Sequence, residues 1–268
     1  MQFTSEEGAR RYQETLVPLM FAPSARLLVG DAKPPAGAHV LDVATGTGVV
    51  AREAAQAIGS TGRVTALDAT DTMLAVARSQ PAAPSAAPID YIRSAIEDTA
   101  LPSGAFHAAF CQQALQFFDE PGRALARIRQ TLRPDGRLHV ALWGSEEEHA
   151  LTMAMQRALL ECGFRDFTAF LTKVHRLHNP ALVNGILRQG GFVVERQKSV
   201  DIVPDGTWHA SDGRRLLAAT PLAAKLAQLP PEQLAVLGDA CERQLDNYTK
   251  DGALDLRFPA YFYVARPA

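Results

Sequence analysis

From residue 39 onward, short apolar runs alternate with stretches in which apolar residues recur every three or four positions. HVLDV (39–43), GRVTALDA (62–69), IDYIRS (89–94), FHAAFC (106–111) and GRLHVALW (136–143) have the length and β-branched content of strands. Between them GVVAREAAQAI (48–58), DTMLAVARSQ (71–80) and EPGRALARIRQTL (120–132) carry the helical period. PAAPSAAP (81–88) is a loop. Asp71 is expected to cap the helix after the second strand, and Pro134-Asp135-Gly136 to form a turn. Strands that alternate with amphipathic helices specify a parallel, doubly wound sheet with right-handed crossovers.

The flanks follow a different rhythm. Residues 5–30 predict one or two helices, with Ser5 as N-cap and Pro18 and Pro23 kinking or dividing them. Residues 145–178 are helical, and NPALVNGILRQGGF (179–192) is a helix stopped by two glycines. FVVERQKSVDIV (192–203) alternates as a long strand, 205–252 is helical, and RFPAYFYVA (257–265) is a last strand. These two final strands are expected to pair antiparallel at the sheet edge.

Composition narrows the class. The 268 residues are 47% hydrophobic and 21% charged with a net charge of −2, which points away from nucleic acid and anionic membranes as partners. No run approaches the ~20 apolar residues of a membrane span, and the N-terminus does not resemble a signal peptide, so a cytoplasmic location is expected. Cys111, Cys162 and Cys241 are too scattered for a disulfide framework or a zinc site and read as inert thiols.

Candidate chemistry begins at Val40-Leu41-Asp42-Val43-Ala44-Thr45-Gly46-Thr47-Gly48, which runs from a strand into a helix. Glycines there let the backbone turn tightly against a ligand, and the helix start offers free N–H groups. Gly46 to Ala51 also matches the nicotinamide fingerprint G-x-G-x-x-A. Asp42 separates the two readings: a pyrophosphate would be repelled by a carboxylate inside the strand end, whereas an ammonium group would be attracted. Asp68 ends the second strand ~20 residues after the turn, where either cofactor class holds a ribose diol. Glu97-Asp98 follows the third strand. Three carboxylates at the ends of consecutive strands are more specific than any one alone.

VLDVATGTG, TALDATDTML, SAIEDTALP and AAFCQQALQFFDEPGRALARIRQTLRPDGRL together resemble the successive motifs of class I S-adenosylmethionine-dependent methyltransferases, nearest to the small-molecule group that includes ubiquinone/menaquinone-type enzymes. The resemblance covers roughly residues 38–143. It implies an α/β, Rossmann-like, doubly wound seven-stranded sheet, mostly parallel with the antiparallel C-terminal pair, plus helical lid segments. It also implies that Asp42 steers the cofactor's ammonium and that Ala44, Thr45, Gly46 and Gly48 underlie its methionine part. Asp68 would bind the ribose hydroxyls with Ala69 beside it among the cofactor-binding residues, Met73 would pack on the adenine, the Ile96 backbone and Glu97 or Asp98 would meet its edge, and Gln112 is a candidate for the methionine end. Ala44 departs from the glycine common at that place.

The acceptor side is less defined. Cys111-Gln112-Gln113-Ala114 is no Asn-Pro-Pro-Tyr type motif, which argues against DNA methylation, and Cys111 stands where a magnesium-dependent enzyme would place a carboxylate. Tyr12, Gln113, Phe117 and Trp143 are pocket candidates, and His149 and His178 are the first candidates for a general base, with His175 and His209 behind them. His107 and His139 read as structural. The expected organisation is a cap (1–36), a cofactor-binding core (37–144), a lid (145–178), a core helix and strand (179–204), an insertion over the site (205–255) and a final strand (256–268). The expected protein is a metal-independent methyltransferase acting on a small acceptor, as a monomer or homodimer. A non-methylating enzyme that keeps the same cofactor is the alternative. A nicotinamide oxidoreductase is less favoured, since no Tyr-x-x-x-Lys pair is present.

Overall fold

A computed structural model describes residues 3–268. Strands β1 (His39–Val43), β2 (Arg63–Asp68), β3 (Ile89–Arg93), β4 (Phe106–Gln112), β5 (Leu132–Trp143), β6 (Phe192–Ile202) and β9 (Phe258–Pro267) form one sheet in the order β3-β2-β1-β4-β5-β9-β6. A small separate hairpin, β7 (Thr249–Lys250) and β8 (Ala253–Leu254), was not foreseen in the segment expected to be helical throughout. β1 to β5 pair parallel, whereas β9 runs antiparallel to both β5 and β6. The expected C-terminal pair therefore exists, with β9 inside the sheet and β6 on its edge.

Alternate residues of each strand feed different cores, as a period of two requires. Val40, Val64, Ala108 and Phe110 pack with helices α2 (Ala22–Ala32), α3 (Val49–Ile58), α6 (Ala150–Glu161) and the helix Pro231–Asp246 on one face. Leu41, Val43, Ala109 and Val140 pack with α5 (Pro121–Thr131) and α8 (Pro180–Gln189) on the other. The turn expected at Pro134–Gly136 is a bulge inside β5: Phe106 pairs with Leu132, while Ala108 already pairs with Arg137.

The N-terminal segment begins at α1 (Glu6–Leu16), where the Ser5 hydroxyl accepts from Gly8 N–H as foreseen. A π-turn over Val17–Phe21, with Pro18 in its first positions, then joins α1 to α2. Proline supplies no N–H and the wider turn leaves carbonyls unclaimed. Pro18 O accepts from Asp205 N–H, and Phe21 O from the Gln112 amide. The kink thereby ties the N-terminal helices to the end of β4. Helix α4 (Asp71–Ser79) takes Thr70, not Asp71, as its N-cap. Asp71 lies in the first turn and pairs with Arg93 on β3.

Candidate active site

β2 and β4 lie on opposite sides of β1, so the chain's strand order reverses there and a crevice opens beyond the carboxyl ends. A cavity of about 500 Å³ occupies it. Its floor is built from the ends of β1, β2 and β4, and its roof from α1, the π-turn, α6 and α7 (Arg165–Val174).

Asp42 is 1% exposed at the end of β1 and accepts from the Thr45 hydroxyl at 2.5 Å. Burial pushes its carboxyl up to about 7, against the opposing pull of Thr45 and the Ala51 N–H. A cation arriving beside it would restore the ionised form. The turn that follows puts Ala44, Gly46 and Gly48 in the left-handed region, with φ of 58°, 57° and 82°. Gly46 N–H donates to Asp68 Oδ2 at 2.8 Å and Thr70 N–H to Oδ1 at 2.9 Å, which clamps the end of β2 to the turn. Burial raises the Asp68 carboxyl, and these two N–H donors oppose the rise.

The two glycines do different work. A Cβ on Gly46 would meet nothing within 4 Å, so its backbone lies open to the cavity. A Cβ on Gly48 would come within 2.6 Å of the Tyr91 hydroxyl. Gly48 therefore lets the turn pack onto β3 and does not line the cavity, a correction to its expected role. Beneath the turn, Arg52 donates to Thr47 O at 2.6 Å, a prop that motif reading missed.

The next wall is Asp68, Ala69, Thr70, Met73, Ile96 and Glu97. Of the two expected acids, Glu97 lines the cavity, whereas Asp98 is exposed and outside the lining. Phe3 and Tyr12 close over this wall. From there a ladder of rings crosses the roof: Phe3 to Tyr12 at 5.1 Å, Tyr12 to Phe21 at 5.1 Å, Phe21 to Trp143 at 5.9 Å and Trp143 to His149 at 5.3 Å. Burial, reinforced by the Asp68 charge, raises the Tyr12 hydroxyl so that it stays protonated. Phe117 is more exposed than expected of a wall residue and stacks on Phe170 at the rim.

Beyond β4 three glutamines converge. Gln113 has φ of 50° and donates its N–H to Ala141 O, which turns its side chain into the cavity lining. Gln116 Nε2 donates to Gln113 O. Gln112 Oε1, both amide atoms of Gln113 and Gln116 Oε1 are buried without partners, although such groups are nearly always paired. Unpaired polar atoms around a cavity mark where a polar ligand fits. Gln116 went unnoticed in the sequence because nothing there distinguishes it from a helix-surface glutamine.

Of the base candidates, His149 is 3% exposed, lines the cavity and leaves Nε2 unpaired. His178 is exposed, accepts from or donates to no cavity group, and contacts His175 O; it is not brought to the site. His175 stands behind His149, and His209 caps a short helix against Gly252 O. His107 contacts the His39 N–H and His139 stacks on Phe110, both away from the cavity. Cys111 is buried with its thiol pushed up to about 12 by burial. Among the described residues no group of three or more His, Cys, Asp or Glu could hold a metal ion, and no helix is long and apolar enough to cross a membrane.

Residues 40–136 match the model of a methyltransferase domain. The chain is 31% identical over 164 residues to a ubiquinone/menaquinone biosynthesis C-methyltransferase of Methylobacterium nodulans, across 58% of this chain and 65% of the relative, just under two thirds of its length. It is 25% identical to nocamycin O-methyltransferase of Saccharothrix syringae, across 92% of this chain and 91% of that one. Its fold is similar to that of the [4+2]-cyclase SpnF, with a TM-score of 0.56 and 21% identity over 92% of this chain and 80% of that one. The part of the chain that matches a methyltransferase domain thus runs from β1 into β5, the strands whose carboxyl ends border the cavity.

Proposed function

We propose that this protein transfers a methyl group from S-adenosylmethionine to a small organic acceptor without a metal. The observation that carries this reading is one continuous cavity with two chemically distinct ends. At the first, Asp42 suits an ammonium group, the backbone from Ala44 to Gly46 lies open, Asp68 suits ribose hydroxyls, and Met73, Ile96 and Glu97 border a place for the adenine. At the second, rings and unpaired amides surround a space for the acceptor. When bound, the cofactor supplies an electrophilic methyl carbon on a sulfonium. The chain's own residues then hold the acceptor in line and keep water out, and positioning of this kind can supply much of the acceleration.

The relative that matches over nearly the whole chain is an O-methyltransferase, which supports an oxygen acceptor over a carbon one. Calorimetric titration with S-adenosylhomocysteine tests the cofactor end. Asp68→Ala is expected to weaken binding about tenfold or more, the loss of a charge-assisted hydrogen bond. Unchanged affinity overturns the ribose assignment. Incubation with methyl-labelled cofactor and candidate acceptors separates methyl transfer from a non-methylating reaction on the same fold, because only the first moves label to product.

A further inference from the structure

Behind the acceptor end of the cavity, side chains from two helical segments form a hydrogen-bonded line. His149 Nδ1 lies 2.9 Å from Thr152 Oγ1, Thr152 Oγ1 lies 3.0 Å from His175 Nε2, and His175 Nδ1 lies 2.9 Å from Gly144 O. All three side chains are buried. The far end sets the direction of every proton. A carbonyl oxygen only accepts, so His175 Nδ1 carries a hydrogen. Burial lowers the basicity of His175, which keeps the ring neutral and its Nε2 a bare acceptor. Thr152 must then donate to His175 and accept from His149 Nδ1–H. The 3.4 Å approach of Thr152 N–H to the same Nδ1 is the weaker contact and gives way. His149 is left with Nδ1 protonated and Nε2 bare, and Nε2 is the atom without a partner.

We infer that His149 is the general base of this enzyme, with Thr152 and His175 as positioning residues that fix its tautomer, and that the acceptor is a phenolic or enolic hydroxyl. This rests on the methyl-transfer reading above and names the acceptor class for it. Trp143 and Phe258 pack their rings on His149 at 5.3 and 4.9 Å and hold its plane. Among the described residues, His175 is the titratable side chain in contact with it. Burial, together with the neighbouring His175, holds its basicity well below the ordinary value, so the ring stays neutral and ready to accept. A neutral amine acceptor has a free electron pair and needs no such group. A hydroxyl acceptor does: as its oxygen bonds to the methyl carbon, the carbon–sulfur electron pair stays with sulfur and the hydroxyl proton passes to Nε2. Gln113 and Gln116 supply unpaired amide groups for a neighbouring carbonyl or hydroxyl on the same ring.

The test uses the full chain with nitrogen-labelled histidine, read by NMR without cofactor. His149 is expected as the Nδ1–H tautomer at neutral pH. Thr152→Val should release it toward the other tautomer, and Thr152→Ser should restore it. An Nε2–H tautomer in the unaltered chain overturns the proposal. In a second arm, phenol and its methyl ether anisole are titrated against protein saturated with S-adenosylhomocysteine. Phenol should bind about tenfold more tightly than anisole, and His149→Phe should abolish that difference. Equal affinities in the unaltered chain, or no binding of either, overturn the assignment of a hydroxyl to Nε2. Failure of the chain to bind S-adenosylhomocysteine sinks the methyl-transfer reading instead, and the tautomer measurement does not depend on it.

Discussion

The floor and the roof of the cavity solve the problem of buried polar groups in opposite ways. On the floor, Asp42 is met by a hydroxyl three residues on and Asp68 by two backbone N–H groups, one of them from the turn after β1. Where the roof meets the strand ends, partners come from far away in sequence: Gln112 at the end of β4 reaches Phe21 of the roof, and His175 reaches Gly144. The carboxylates at the ends of β1 and β2 are met close by, whereas the end of β4 and the roof leave amide atoms and an imidazole nitrogen unpaired. A floor closed on itself suits a constant cofactor. A roof held by long-range contacts can be rebuilt for different acceptors without disturbing it.

That contrast can be broken by substitution. Trp143→Ala removes a ring packed between Phe21, His149 and Phe258, and should cost about 4 kcal/mol in denaturant unfolding. If stability is unchanged, the roof is not a packed unit. On the floor, Gly48→Ala brings a methyl group against the Tyr91 hydroxyl at a left-handed φ, with an expected loss of about 3 kcal/mol. Gly46→Ala meets no neighbouring atom and should lose only the conformational part, about 1 kcal/mol, so equal losses at the two positions would refute the division of labour between them.

Asp42 gives a pH-dependent test. Its folded carboxyl titrates near 7, above its ordinary value of 3.8, so the native chain holds a proton that the unfolded chain has released between those values. The stability from this group is therefore present at low pH and lost as pH rises through about 7. Asp42→Asn should be more stable than the parent by roughly 4 kcal/mol above that pH, with the gain vanishing below about pH 4. Thermal melts across the range check it, and the same variant should bind S-adenosylhomocysteine more weakly. A gain in stability together with a loss of affinity is the mark of a binding group held at a cost to folding.

An effect as small as that of Gly46→Ala, but of opposite sign, is expected at Ala44, an alanine at φ 58°. Ala44→Gly should stabilise by about 1 kcal/mol, because the left-handed conformation penalises a Cβ. A measured loss would mean that the methyl group packs on the floor more favourably than the strain it carries.

Much of the floor was legible because its rules are local. The period of two in VLDV, the glycine turn after it and the acid that ends β2 are each set by spacing within a strand–turn–helix unit. The errors arose where a partner arrived from elsewhere. Gly46 and Gly48 look equivalent in sequence, yet Tyr91 on β3 decides that only one of them faces the cavity. Asp71 looks like a cap until Arg93 claims it. Glu97 and Asp98 differ by one step around a short turn, which places one inside and one in solvent.

The amino-acid sequence by itself determined the doubly wound sheet and the carboxylates at its strand ends, because hydrophobic period and turn chemistry are properties of neighbouring residues. Only the tertiary structure decided which histidine serves the cavity. His149 and His178 are equally plausible along the chain. The return of α7 beside α6, which sets Thr152 between His149 and His175 and anchors the line on Gly144, buries one and leaves the other in water. Sequence spacing cannot express that outcome, since it depends on how two helices and a strand end pack against one another.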